Sequence, residues 1–477
     1  MENHIKTPTM VSTHSRHLEQ SGRQYLPQPP RDGDERSPNQ ELLPLTTQVN
    51  QQDCLEIGGC DVTELVKTYG SPLYILDEVT LRTACRQYRE AMHAYYSGES
   101  QVIYASKAWN CLAICAIVAS EGLGVDVASG GELYTALKAG VSPDRIYFHG
   151  NNKSYAELKM AVEAGCQIVV DNYLELQTLT QLSEGAAAPV SILLRVTPGI
   201  ECHTHDYIRT GQIDSKFGFD PNQLETVFRW IADHDCLNCM GLHAHIGSQI
   251  FELNPHRDLA NVMLDWTRKA SDVGLSITQI NVGGGLGIRY TESDDPPSIT
   301  EWVKQVAEAV TTAWNAAQLP LPKLLCEPGR SIVGPACVTA YTLGSRKEVP
   351  GLRTYLAVDG GMSDNARPIT YQSVYRAVIA NRMSAPPTQT ATIAGKHCES
   401  GDILIQSAQL PATEPGDILV VMGTGAYNYS MASNYNRLTR SAAVLVNSQT
   451  AELIVQRETY EDLIRCDRLP SRIAPTL

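Results

Sequence analysis

Eight short apolar runs, each closed by a polar or glycine-rich cluster, recur between Gln101 and Arg330: QVIYASK, GLGVDVAS, RIYFHGN, QIVVDN, SILLRVTPG, GLHAHIGS, QINVGGG and KLLCEPGR. Runs that are apolar throughout, rather than alternating, belong to strands buried on both faces. The pieces between them carry helix signals. Ser129 with Glu132, and Ser154 with Glu157, have the spacing of a capping box, and the helices they open stop at Gly140 and Gly165. Strands alternating with helices imply a parallel sheet covered on both sides. Eight such units over about 230 residues match a (β/α)8 barrel of the TIM type. An open doubly wound sheet could use the same units but would string its strand ends along an edge. A barrel brings them to one mouth, and here the ends are chemically distinctive: Lys107, Asp126, His149, Asp171, Arg195, His245, the glycines 283–285 and Glu327.

These limits give a barrel domain over residues 80–330. After Arg330 the pattern changes to TAYTLGSRK, TYLAVDGG, TATIAGKHCESGDILIQ, GDILVVMG, SAAVLVNSQ and AELIVQRE, which are short, β-rich and punctuated by Gly and Pro. They predict an all-β domain, sandwich or barrel, over residues 331–477, with residues 51–79 (including SPLYILD) joining it from the N-terminal side. Residues 1–50 are rich in Gln, Pro, Ser, Arg and Asn without periodicity and read as a disordered tail, dispensable for activity.

Composition narrows the function. The 477 residues are 43% hydrophobic and 19% charged, with a net charge of −14, which argues against nucleic acid and against an anionic membrane surface. No uninterrupted apolar stretch is long enough to span a bilayer. Thirteen cysteines, an odd number without a secretory signal core, fit reduced thiols in the cytoplasm. Cys236 and Cys239 form a C-x-x-C without a second pair at zinc spacing, and are expected to be packing thiols. Cys202, His203, His205 and Asp206 sit in a polar segment better suited to a mobile active-site loop than to a metal, and no metal site is expected.

The chemistry centres on VIYASKAWN, where Lys107 follows a strand directly. A lysine at a strand end is ordinarily a solvated loop residue. NVGGGLG and HIGS, however, end two neighbouring strands in phosphate-type loops. A dinucleotide fingerprint fails, because Ile288 stands where the third glycine belongs. A lysine, a phosphate cradle, a flat imidazole and the acid Glu327 at one mouth are the set that pyridoxal phosphate requires. The lysine forms a Schiff base, glycine loops hold the phosphate, and a carboxylate keeps the pyridine nitrogen protonated. Singly, His245 could be a satisfied core histidine and Glu327 a barrel-end ion pair; together at strand ends they point to the cofactor.

The chain resembles the fold-type III pyridoxal-phosphate decarboxylases, and within them the diaminopimelate branch. The resemblance is carried by YASKA, GVDVASGGEL, HGNNKS, HTHDYIRTGQIDSKFG, GLHAHIGSQ, NVGGGLG, CEPGRSIV, CESGD and GAYNYSMASNYN, across about residues 55–465. It implies that Lys107 carries pyridoxal 5′-phosphate with Asp126 close by, that His245 stacks on the ring, and that Glu327 pairs with its nitrogen. Ser248, Gly284, Gly285 and Tyr427 would hold the phosphate, with Arg330 between phosphate and substrate. Arg367, Tyr371 and Glu399 would grip the far amino-acid head of diaminopimelate. Cys398 would be supplied by the other subunit of a homodimer with shared sites, and either Cys398 or Lys107 would return the proton. Asp206 stands where the family often has Glu. Two other readings stay open on sequence: a decarboxylase of ornithine, arginine or a carboxylated polyamine, and a non-catalytic cofactor-binding homologue.

Overall fold

The computed structural model describes residues 21–28, 36–184, 188–200 and 215–473. The eight apolar runs are eight parallel strands: Ser100–Ala105, Gly124–Val127, Ile146–Phe148, Gln167–Val170, Val190–Arg195, Leu237–His243, Gln279–Asn281 and Lys323–Cys326. The last pairs with the first, which closes the barrel. The (β/α)8 fold expected from the strand–helix rhythm is the one observed, with a mostly β region beside it. The local signals act as read, with one variation. Ser154 and Glu157 form a complete capping box, and Gly165 closes that helix at φ 80°. Ser129 caps the backbone of Glu132, but the Glu132 carboxylate accepts from the Ala128 N–H rather than from Ser129.

Outside the barrel, Gln48–Val49, Leu55–Ile57 and Cys60–Asp61 form a small three-stranded sheet, and nine further strands form an assembly whose axis is the long strand Cys337–Val349. One half of it pairs with Leu73–Asp77 and Ile418–Val421, the other with Arg353–Val358. SPLYILD therefore does join from the N-terminal side, and Leu73–Asp77 also pairs with Ala442–Asn447. Ala377–Ile379 is a strand that the pattern did not single out. It is only three residues long, held by one antiparallel partner.

The N-terminal expectation needs correction. Among residues 1–50, the described stretches 21–28 and 36–50 are both packed against the rest of the chain. Leu43 is wholly buried. Asn39, also wholly buried, donates to the carbonyls of Gly287 (3.1 Å) and Pro297 (2.8 Å) and accepts from the Arg289 N–H. Ser37 Oγ accepts from the Ile299 N–H at 3.0 Å, and Leu45 N–H donates to Thr80 Oγ1. These partners are loop and helix-terminal groups, so the segment needs no periodicity of its own. Deleting residues 1–50 is therefore expected to destabilise the protein by roughly 3–6 kcal/mol, from Leu42 and Leu43 alone. It should also lower activity, because Asn39 braces the loop after 283–285. Thermal unfolding and turnover of the truncated chain check this; unchanged values would return the segment to a passive tail.

Candidate active site

Inside the barrel Ile103, Tyr147, Val169, Leu193 and Leu325 form one buried layer. A strand turns alternate side chains to opposite faces, so a two-residue step stays on the inner side. That step from the last four lands on His149, Asp171, Arg195 and Glu327, which is why polar groups converge at the mouth. There His149, Arg195 and Glu327 line a cavity of about 370 Å³ that also takes in Lys107, Asp126, His243, His245, Ser248, Gly284, Gly285, Arg330, Arg367, Tyr371 and Tyr427. Eleven of the thirteen residues singled out in the sequence thus share one cavity. Cys398 and Glu399 do not line it. Cys398 lies exposed on a turn, its N–H donating to Asn436 Oδ1 at 2.8 Å. The 201–206 cluster lies outside the described residues. Cys239 is buried and Cys236 half-buried, both as free thiols.

The floor of the cavity is built around Glu327. Its carboxylate accepts from His149 Nε2 (2.7 Å), His243 Nε2 (3.0 Å) and Asn281 Nδ2 (2.7 Å). The proton of His243 is assigned to Nε2, since its Nδ1 is buried without a partner. Burial works against the charge on Glu327, but the two histidines outweigh it and hold the carboxyl well below its ordinary range. Burial pushes His243 down to about 4, keeping the ring neutral near neutral pH. Asp126, close by, is raised by burial. Neither His243 nor Asn281 stood out in the sequence. The first had a signal: in GLHAHIGS it ends the strand, two residues before His245.

Lys107 enters from a 3-10 turn, Ser106–Ala108, at the end of the first barrel strand. That turn is pegged by Tyr427 N–H donating to the Ala108 carbonyl at 2.7 Å, and by Ala105 N–H donating to Pro328. Lys153 is no rival amine. Its Nζ is committed to Glu175 (2.8 Å) and to the carbonyls of Gly150 and Val169. His245 is held well below its usual range by burial, then by the charge of Lys107.

Opposite the lysine, the backbone itself is the wall. A Cβ on Gly284 would stand 2.2 Å from the Glu327 carbonyl oxygen, and Gly283 adopts φ 67° beside His245. Glycine is needed at both for the chain to approach this closely. Next to them Arg330 donates to Ser248 Oγ (3.2 and 3.0 Å) and lies 4.8 Å over the Tyr427 ring. Arg367 donates to Tyr290 (2.9 Å) and Tyr375 (2.6 Å). Both guanidiniums are buried, and neither meets a carboxylate among the described residues. Buried cations are costly unless paired. Two of them facing one cavity with only hydroxyl partners make a site for anions.

Residues 79–334 match the family described as pyridoxal-dependent decarboxylase, pyridoxal binding domain. A diaminopimelate decarboxylase of Synechocystis sp. is 63% identical over 92% of this chain and 95% of its own. The chain belongs to the diaminopimelate decarboxylases. A Bacillus subtilis member of the family is 47% identical over 88% of this chain and 97% of its own. The crystal structure of the M. jannaschii diaminopimelate decarboxylase in complex with L-lysine superposes with a TM-score of 0.84 at 31% identity, covering 92% of this chain and all of that one. The family is thus pyridoxal-dependent, and its fold is that of this chain. No helix among the described residues is long and apolar enough to cross a membrane.

Proposed function

We propose that this chain removes carbon dioxide from meso-2,6-diaminopimelate to give L-lysine, with pyridoxal 5′-phosphate seated at the barrel mouth. The observation that carries the reading is one cavity faced by a lysine and two guanidiniums that meet no carboxylate among the described residues, and by an acid kept ionised by its neighbours. The donor set suits the cofactor: an amine, a flat imidazole, a glycine wall that a Cβ would close, and an anion on the floor. When bound, pyridoxal phosphate supplies an electron sink for the charge left as the carboxylate departs.

The residues do the rest. Lys107 provides the amine that holds the cofactor, with Asp126 beside it. Glu327 keeps a proton at the ring nitrogen, because its own carboxyl stays ionised between His149 and His243. His245 presents its ring face. Ser248, Gly284, Gly285 and Tyr427 hold the phosphate, and Arg330 lies between phosphate and substrate. Arg367 and Tyr371 bind the distal carboxylate, where a guanidinium can engage two oxygens at once. As the bond from the α-carbon to its carboxylate breaks, a proton is returned to that carbon by Lys107 or by Cys398 of the partner subunit. Glu399 of the partner subunit meets the distal ammonium. Support for the shared site is that Cys398 and Glu399 lie outside the cavity of their own chain, on an exposed turn.

A mixing experiment tests this arrangement. Lys107→Ala chains, expected to be inactive, and Cys398→Ala chains, expected to have reduced turnover, should together exceed the activity of either alone when co-assembled, because one site of the mixed dimer keeps both residues. Absence of rescue in a verified mixed dimer would mean that each chain builds its site alone.

A further inference from the structure

Arg330 and Arg367, buried guanidiniums that meet no carboxylate among the described residues, converge on a single oxygen. The Tyr290 hydroxyl accepts from Nη1 of Arg330 at 2.7 Å and from Nη1 of Arg367 at 2.9 Å. The two donor nitrogens are thereby kept within two hydrogen-bond lengths of each other, although like charges repel. Tyr290 is itself held. Only 8% of it is exposed, and its ring stands edge-on to Tyr375 with centroids 5.4 Å apart. Tyr375 is the second acceptor for Arg367, at 2.6 Å, and donates onward to Asn428 at 3.3 Å. Burial opposes ionisation of the Tyr290 phenol, but the two arginines outweigh it and lower the phenol below its ordinary value. Tyr290 does not line the main cavity. It lines an adjoining one of about 440 Å³, which Arg367 and Tyr371 also border. Whatever it does for the substrate, it does through the arginines.

We infer that Tyr290 is a positioning residue for substrate length: its oxygen fixes the spacing between the cation at the phosphate end and the cation offered to the far carboxylate. The site then selects amino acids that carry a second anionic head at one distance from the first. The inference rests on the assignment of Arg367 to the distal carboxylate made above. Removing the oxygen leaves Nη1 of Arg330 without its acceptor, Nη1 of Arg367 with Tyr375 alone, and the two cations unbridged, so the arginines separate and the ruler is lost.

The test uses full-length, cofactor-loaded Tyr290→Phe, with cofactor occupancy checked by absorbance, beside Arg367→Gln. Tyr290→Phe is expected to raise KM for diaminopimelate about ten-fold or more while kcat stays within about three-fold. Calorimetric binding of a series of straight-chain 2-aminodicarboxylates is expected to show a sharp length optimum in the native protein and a flattened one in the variant, which a purely structural role would not produce. If Arg367→Gln raises KM but Tyr290→Phe leaves KM and the length profile native, the ruler is wrong and the carboxylate assignment stands. If neither variant changes KM, the assignment of Arg367 itself fails. Should Tyr290→Phe not fold, the native protein alone decides: a flat length profile overturns the inference.

Discussion

Lys107→Ala is expected to lose turnover by about three orders of magnitude or more and, with it, the near-visible absorbance of the bound cofactor. The fold should survive. The turn that carries the lysine is fixed by backbone bonds, Tyr427 N–H to Ala108 and Ala105 N–H to Pro328, none of which uses the side chain. Lys107 makes no ion pair or hydrogen bond among the described residues, so truncation leaves no buried partner unmet. Stability should stay within about 0.5 kcal/mol of native, as for other exposed positions. Loss of both signals with an unchanged melting temperature is therefore specific to the chemistry. Retained absorbance would remove Lys107 from its role and make it the solvated strand-end lysine that such positions usually hold.

Glu327→Gln is expected to cost on the order of 10²–10³ in kcat, the usual scale for removing one aimed electrostatic group. The carboxylate accepts three hydrogen bonds, from His149, His243 and Asn281. An amide accepts at one end only; its NH₂ would confront a donor, so one histidine must shift its proton or move away. The conflict costs about 1–3 kcal/mol of stability. The native trio also predicts a pH response. His243 is held near 4 when folded but is free to protonate near 6.5 when unfolded. Between those values the unfolded chain binds a proton that the folded one refuses, so stability falls as pH drops through that window. Glu327, depressed in the folded state, acts at lower pH: its contribution is present above about 4.5 and fades only as pH falls through its folded value. Kinetics and thermal unfolding of the variant between pH 7 and 4 check both. A near-native kcat would reduce Glu327 to a barrel-end ion pair.

Much of this site is legible in the sequence because a barrel turns strand ends into neighbours. Once QIVVDN or KLLCEPGR is read as a strand, Asp171 and Glu327 follow at the mouth by alternation alone. The glycine wall is legible for a similar reason, since only glycine lets the chain pass so close to the Glu327 carbonyl. Contacts made across the chain are not legible. Tyr290 meets arginines 40 and 77 residues away, and nothing in its own neighbourhood marks it. His243 is hidden inside an apolar run although alternation pairs it with His245. Residues 36–50 read as featureless because their hydrogen bonds go to loops rather than to a repeating face. Cys398 and Glu399 are legible only through the CESGD resemblance, since a single chain leaves them on an exposed turn.

The most direct measurement is carbon dioxide release by the purified, cofactor-loaded protein on meso-diaminopimelate, L-ornithine and L-arginine side by side. Release from diaminopimelate alone is the expected result, because only that substrate offers a distal carboxylate to Arg367 and Tyr371. Release from ornithine or arginine, with none from diaminopimelate, would contradict the account.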